Sequence, residues 1–184
     1  MKIIGLTGPK GSGKSHIAKQ LTKDRGVILS FAGPIKAMLA QANILPPEAF
    51  LPEHKENPAL GRCGKTPRYL MQTLGTEWGR QIIGEDIWVE TVVSQIHCLR
   101  NSEEPPKIVV IDDLRFGNEA KAIVNLGGSV HRVIRPGFDY THEHASEQPV
   151  PEQFLSGEIL NDQQPLPPTK IAHLLEEISS LTKT

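Results

Sequence analysis

The chain has 184 residues, of which 38% are hydrophobic and 22% charged, and a formal net charge of -1. This is the composition of an ordinary folded protein, without a case for extended disorder, and the near-zero charge argues against a surface built mainly to hold nucleic acid. The length predicts a single domain over residues 1–184, because two ordinary domains need a longer chain.

The cysteines and the apolar stretches indicate a cellular compartment. Cys63 and Cys98 have no metal-ligand spacing and form no disulfide framework. No apolar stretch reaches the roughly 18 residues that cross a bilayer, and the start MKIIGL is shorter than the apolar region of a signal peptide. We therefore expect a cytoplasmic protein that makes no contact with membranes.

Strand-like and helix-like segments alternate along the chain, which predicts an α/β fold with a central parallel sheet covered by helices. The predicted strands are Lys2–Thr7, 26–31, 108–112, 129–135 and 157–162, about five in all. The predicted helices cover 14–23, 34–43, 68–83, 86–99, 117–126 and 171–181. The run IVVID at 108–112 is uninterrupted and apolar, as expected of a buried central strand beside the first one.

Apolar residues at helical spacing predict the inward faces of these helices. They are Ile17 and Leu21; Leu70, Leu74 and Trp78; Trp88, Val92, Ile96 and Leu99; and Ile171, Leu174, Leu175 and Ile178. Two stretches are too irregular for core elements. Residues 45–64 are rich in proline and read as an excursion from the core, and residues 136–151 are long enough for a mobile lid.

The first chemical motif is GPKGSGKS at residues 8–15, which follows a predicted strand and opens a predicted helix, as a phosphate loop does. Its glycines let backbone N–H groups turn toward phosphate oxygens, Lys14 reaches the outer phosphates, and the Ser15 hydroxyl can bind Mg²⁺. The two flanking elements disfavour a chance match in a glycine-rich turn. The predicted ATP-binding residues are Gly8, Gly11, Ser12, Gly13, Lys14, Ser15 and His16.

Charged residues also follow the predicted central strand. Asp112 and Asp113 end it at the sheet edge where ligands bind, so one would hold Mg²⁺ while the other orients its neighbours. The sequence does not assign these roles, and a simple strand-terminating turn is the alternative. Arg115 is expected at the same edge, where a guanidinium can contact phosphate as charge develops, unless it is an ordinary surface arginine.

Arg68 and Gln72 lie one turn apart on the helix after Thr66, away from its apolar face. Arg68 could grip the phosphate of an acceptor nucleotide with two hydrogen bonds, while the Gln72 amide reads a base edge. A solvated helix face fits the spacing equally well.

The predicted lid begins between Arg132 and Arg135, and closing lids often bring positive charge to a transferred phosphoryl group. In an alternating strand these two residues point to opposite faces, so we prefer Arg135, at the strand exit. Two histidines and two glutamates within residues 142–147 could bind a metal, but a lid rich in charge explains them as well.

Together, these segments resemble the phage-type deoxynucleoside monophosphate kinases of the P-loop kinase superfamily. The likeness covers most of the chain. It rests on LTGPKGSGKS, FAGPIK after the second strand, TPRYLMQTLGTEWGR, DDLRFGNEA after the central strand, RVIRPG, and HASE at 144–147.

The resemblance implies transfer of the γ-phosphoryl of ATP to a deoxynucleoside monophosphate (dNMP), with Mg²⁺, on a nucleoside-monophosphate-kinase fold with a lid. It implies an acceptor-binding helical region at about residues 34–100, and it favours Asp113 over Asp112 within DLRF. The acceptor residues that it implies are Phe31, Lys36, Arg68, Gln72 and Trp88, and the catalytic residues are Lys14, Asp113, Arg115 and Arg135. The Pro-rich residues 45–64 match no part of the pattern.

Three other functions are weighed against this one. A dephospho-coenzyme A kinase shares the opening GLTG, but the TPRYLM and HASE segments argue against it. A nucleotide switch that binds a partner protein has no NKxD motif here to support it, and the near-neutral charge disfavours a nucleic-acid-binding ATPase. The expected partner is a small dNMP, in the host cytoplasm if a phage encodes the chain; the base, the sugar selectivity and a homodimer are left open.

Overall fold

The computed structural model describes residues 1–23, 26–140, 148–162 and 164–181, with the side chains of the last range described as far as residue 174. The chain forms two compact units. The sheet unit comprises Met1–Ser30 and Val93–Thr184, and the helical unit comprises Phe31–Val92. The boundaries of a single domain over 1–184 stay a prediction. In the described part of the chain, no helix combines the length and the apolar character needed to span a membrane.

The sheet unit is built on five parallel strands in the order β2-β3-β1-β4-β5, which confirms the predicted α/β fold. The strands are β1 (Lys2–Thr7), β2 (Gly26–Leu29), β3 (Ile108–Ile111), β4 (Ser129–Ile134) and β5 (Gly157–Leu160). All four residues of β3 are buried, as its apolar run predicts. The expected pairing of β1 with β3 is also confirmed, and Lys2 aligns with Ile108.

Helices cover both faces of this sheet. They are α1 (Lys14–Leu21), α5 (Gly117–Asn125) and α6 (Pro168–Leu181). Successive strand residues face opposite sides, so Ile4 and Leu6 pack in one apolar cluster with residues of α1 and α6. Gly5 faces the other side, where an added Cβ would lie 2.7 Å from Leu114 and 3.7 Å from Ile123 of α5. The side chains of Leu175 and Ile178, predicted to face inward, lie outside the described part.

The helical unit contains α2 (Gly33–Gln41), α3 (Pro67–Gln72), a π-helix (Thr73–Ile83) and the start of α4 (Ile87–Arg100), whose later residues belong to the sheet unit. The predicted Pro-rich excursion at 45–64 holds only two short 3₁₀ turns, at Pro47–Phe50 and Pro58–Leu60. The core of this unit is the apolar cluster of Ile35, Leu39, Leu45, Ala49 and Trp88. The unit therefore has a hydrophobic core of its own.

The π-helix differs from the uninterrupted α-helix that the sequence predicts. The Gly84 N–H donates to the oxygen of Gly79, five residues back, at 2.9 Å, which is a π-helical bond. Leu70 and Leu74 pack on the core, whereas Trp78 lies at its edge, 38% exposed, with its ring centre 6.3 Å from that of Trp88. The reason is geometric, because the wider π turn rotates the following residues away from an α-helical stripe.

Trp88 packs against the π-helix at this wider turn. Its indole N–H donates to the oxygen of Gly75 at 2.7 Å, and a Cβ added at Gly79 would lie 2.6 Å from the indole ring. The missing side chain of Gly79 thus leaves room for the Trp88 ring, and the Gly75 oxygen accepts its N–H. Trp88, Val92 and Ile96 of α4 are buried as predicted.

Candidate active site

The phosphate loop connects β1 to α1, and its backbone conformation requires glycine. Gly8, Gly11 and Gly13 have φ angles of 140°, 83° and 90°, a region that side chains disfavour. A Cβ at Gly8 would also lie 2.5 Å from the carbonyl oxygen of Val133. The chain then enters α1, where the His16 N–H donates to the Gly13 oxygen at 2.9 Å. The helix N-terminus that follows such a loop favours anions.

Lys14 reaches back over this loop. Its Nζ donates to the carbonyl oxygens of Gly8 at 2.7 Å and Pro9 at 2.8 Å. The pKa of Lys14 is lowered to about 8, mainly by burial and then by the Arg115 charge, whereas the nearby carboxylates of Asp112 and Asp113 act to raise it. An anion that enters beside Lys14 would therefore stabilise the charged ammonium.

Ser15 and Asp112 connect the loop to the end of β3. The Ser15 hydroxyl donates to Oδ2 of Asp112 at 2.6 Å, and the Asp112 N–H donates to the oxygen of Leu29 on β2 at 3.2 Å. A hydroxyl and a carboxylate are oxygen donors that suit Mg²⁺, which keeps several water or phosphate ligands and needs few protein groups. The contact favours Asp112 for this role, whereas the resemblance favours Asp113.

The described residues contain no group of three or more His, Cys, Asp or Glu side chains that could hold a metal ion. The two histidines and two glutamates of 142–147, and the HASE segment with them, lie outside the described residues.

Arg115 lies on a turn that a buried carboxylate holds in place. Oε2 of Glu119 accepts the backbone N–H groups of Arg115 at 2.7 Å and Phe116 at 3.0 Å, and Glu119 is 2% exposed. Sequence analysis missed Glu119. Its signal was present, because a glutamate at the third position of a helix commonly caps the preceding turn, and DLRFGNEA places one there.

Arg135 and Arg132 have different surroundings. Arg135 Nη1 donates to the oxygen of Gly11 in the phosphate loop at 3.0 Å, and its guanidinium lies 4.3 Å from the centre of the Phe138 ring. Arg132 forms ion pairs with Glu152 and Glu158 instead. The preference for Arg135 over Arg132 therefore agrees with the geometry, and its part in catalysis stays a prediction.

Asn161, at the end of β5, is a second residue that sequence analysis missed. Its side chain is buried, and its Nδ2 donates to the backbone oxygen of Ser12 at 2.7 Å. A Cβ at Gly13 would collide with the same amide. The Ser12 hydroxyl is buried and makes no hydrogen bond to the described part of the chain, whereas the Ser12 N–H donates to the oxygen of Pro9 at 3.2 Å. A polar residue directly after a strand of this sheet was the available signal.

A pocket lies over the loop at the carboxyl ends of the strands. It is lined by Thr7, Gly8, Pro9, Lys10, Lys14, Leu114, Arg115, Asp139, Tyr140 and Gln148. The last three belong to the predicted lid at 136–151, on either side of the stretch that is not described. The structure thus brings together the loop, the residues after β3 and both ends of the predicted lid.

The predicted acceptor residues of α3 lie in the helical unit. The helix begins after Thr66, whose hydroxyl accepts the Tyr69 N–H at 3.2 Å. Arg68 and Gln72 are both half-buried and lie one turn apart, as expected. The Nε group of Arg68 forms an ion pair with Glu56.

The other predicted acceptor residues differ in exposure. Lys36 on α2 is half-buried, whereas Phe31 and Trp88 are each only 4% exposed. Because the Trp88 N–H already donates to Gly75, any contact of Trp88 with an acceptor would use its ring.

A five-stranded parallel sheet, a glycine-shaped loop before α1 and an acid at the end of a buried central strand define an α/β protein of the P-loop type. The family described as Deoxynucleotide monophosphate kinase matches residues 65–164. The chain belongs to this family, as the resemblance implied, and is an enzyme that phosphorylates a deoxynucleoside monophosphate.

Two relatives illustrate the similarity. The Putative deoxynucleotide monophosphate kinase of Acanthamoeba polyphaga mimivirus is 34% identical over 165 residues, which cover 80% of this chain and 81% of the relative. The Deoxynucleoside-5'-monophosphate kinase of Escherichia phage T5 is 28% identical over 124 residues, which cover 64% of this chain and 47% of the phage protein.

Proposed function

We propose that this enzyme transfers the γ-phosphoryl of ATP to a dNMP, giving ADP and the deoxynucleoside diphosphate. The observation that carries the proposal is the hydrogen bond from Ser15 to Asp112, beside Lys14 on the phosphate loop. This bond brings a hydroxyl and a carboxylate together beside a lysine, and phosphoryl transfer from a nucleoside triphosphate uses these three groups. The chain is also a member of a kinase family.

On the donor side, the N–H groups of the loop and of the first turn of α1 bind phosphate oxygens. Lys14 exchanges its bonds to the Gly8 and Pro9 carbonyls for the outer phosphates. Ser15 and Asp112 would hold Mg²⁺, which when bound neutralises phosphate charge. Asp113, whose carboxylate raises the pKa of Lys14, helps to keep that ammonium charged.

The chemical step needs no covalent enzyme intermediate, because an oxygen of the acceptor phosphate can itself attack the γ-phosphorus. Positioning and charge stabilisation then supply nearly all of the catalysis. Arg115, held by Glu119, and Arg135, bonded to the loop, are the cations proposed to neutralise the transferred group beside Lys14.

On the acceptor side, Arg68 binds the monophosphate and Gln72 contacts the base, with Lys36 as a further cation. Phe31 and Trp88 contribute ring surfaces. We keep the cytoplasm as the expected compartment, and a homodimer stays open.

The test is a coupled assay of ADP release against a panel of ribo- and deoxyribonucleoside monophosphates, with dephospho-coenzyme A included. We expect turnover with at least one dNMP, and a loss of at least about a hundredfold in kcat in Lys14→Ala. Lys19→Ala removes an exposed lysine from the same helix and should retain activity. ADP release that depends on dephospho-coenzyme A, or on no acceptor at all, would contradict the proposal.

A further inference from the structure

The Pro-rich segment, residues 45–64, contacts the proposed phosphate-binding arginine at two points. The Arg68 backbone N–H donates to the oxygen of Lys55 at 2.9 Å, and the Arg68 Nε donates to the carboxylate of Glu56. Two consecutive residues of the segment therefore hold Arg68, one through the backbone and one through its side chain.

The contact with Glu56 uses only one edge of the guanidinium. Arginine has five N–H donors in a planar fork, and Glu56 accepts from Nε. The Nη1 and Nη2 groups make no hydrogen bond to any described residue. They form the end of the fork that binds a phosphate with two parallel hydrogen bonds. Glu56 thus holds the Arg68 guanidinium at Nε, and the Nη1 and Nη2 groups remain available to a phosphate.

The segment is itself anchored, so it can hold a side chain in place. Asn57, which directly follows Glu56, accepts the Ala59 N–H at 3.0 Å and caps the 3₁₀ turn Pro58–Leu60. Arg62 donates to the carbonyl oxygens of Asn43 and Ile44, both at 3.1 Å, and so connects the far end of the segment to the two residues that precede it. These bonds give Glu56 a defined backbone position beside α3.

We propose that Glu56 is a positioning residue for the acceptor phosphate, acting through Arg68. The inference rests on the proposed role of Arg68 in acceptor binding. Glu56 holds the Arg68 side chain in one rotamer before the phosphate binds. The conformational entropy that Arg68 loses on binding is therefore smaller. Its charge also repels the phosphate, but the Glu56 side chain is 62% exposed, so water screens that repulsion. Preorganisation of Arg68 is therefore the larger effect, and the segment gains a function in acceptor binding.

Steady-state kinetics of Glu56→Ala test the proposal. We expect the KM for the dNMP to rise about two- to fivefold, the range of an exposed ion pair, with kcat and the KM for ATP unchanged. Glu53→Ala is the matched control, because Glu53 is an exposed acid of the same segment without an ion pair to the described part of the chain. The double variant Glu56→Ala/Arg68→Ala should match Arg68→Ala alone.

The outcomes separate this inference from the function on which it rests. If Arg68→Ala raises the KM for the dNMP but Glu56→Ala behaves like Glu53→Ala, Glu56 does not position Arg68, while the acceptor assignment stands. A lower KM in Glu56→Ala would mean that Glu56 competes with the phosphate, which also overturns the proposal. An unchanged KM in Arg68→Ala overturns the role of Arg68 as well. Should Glu56→Ala fail to fold, Glu56→Gln, which keeps the volume and one acceptor oxygen, takes its place in the comparison.

Discussion

Ser15 and Asp112 bring a hydroxyl and a carboxylate to the same point from elements far apart in the chain, and this contact distinguishes two neighbouring acids. We expect Asp112→Asn to raise the Mg²⁺ concentration for half-maximal activity about tenfold, because it removes the charge that faces Ser15. Asp113→Asn is the matched control and should shift this concentration less. A titration of ADP release against Mg²⁺ measures both shifts. A larger shift in Asp113→Asn would assign Asp113, and not Asp112, as the Mg²⁺ ligand.

The sequence predicted this cluster of residues but not the roles within it. Neighbouring residues at the end of a strand point to opposite sides, so DD leaves open which acid faces the loop. In the structure the Asp112 N–H bonds to Leu29 of β2 and its side chain meets Ser15, and the division of roles between the two acids stays a prediction. Glu119 and Asn161 were missed for a different reason, because each side chain bonds to a backbone group and contributes to the site by holding the chain in place.

Among the elements, the π-helix yields the most direct stability prediction. In Gly79→Ala, the new Cβ would lie 2.6 Å from the Trp88 ring, and such overpacking costs about 1–3 kcal/mol. The better helix propensity of alanine returns at most about 1 kcal/mol. We therefore expect a net loss of about 1–2 kcal/mol in the free energy of unfolding, measured by urea denaturation.

Gly84→Ala is the control for this substitution. Gly84 follows the π-helix in an extended conformation, and nothing lies within 4 Å of an added Cβ. If Gly79→Ala were as stable as Gly84→Ala, close packing of Trp88 against the π-helix would be refuted.

Most elements could be predicted from the sequence, because apolar runs indicate buried strands and apolar residues at helical spacing indicate the buried faces of helices. The first strand and the start of α1 match their predicted bounds, and the buried run at β3 was expected in the middle of the sheet. The π-helix could not be predicted, since α and π turns draw on the same residue preferences. What distinguishes them here is the fit of Trp88 against Gly75 and Gly79, which depends on residues beyond the helix.

At the scale of the whole molecule, the residues proposed to bind the donor and those proposed to bind the acceptor belong to different compact units. We therefore expect the two nucleotides to protect different backbone amides from hydrogen exchange. A non-hydrolysable ATP analogue with Mg²⁺ should protect residues 8–17 of the sheet unit, and a dNMP alone should protect residues 66–72 of the helical unit. At one hundred times the dissociation constant, protection can reach about a hundredfold.

Hydrogen exchange followed by mass spectrometry makes this measurement. Lys14→Ala should abolish the first pattern and leave the second, and Arg68→Ala should do the reverse. Protection of the phosphate loop by the dNMP alone, without an effect on α3, would contradict the assignment of the acceptor residues.

The central position of β1 affects how the protein is made. Its residues pair with strands that come much later in the chain, Lys2 with Ile108 and Thr7 with Arg132. The apolar cluster of Phe31–Val92, by contrast, draws only on that stretch, so it can form before β3 has emerged from the ribosome. Non-local pairing of this kind is slow. The nascent β1 therefore leaves Ile3, Ile4 and Leu6 exposed until β3 and β4 emerge, and we expect chaperones to bind this stretch.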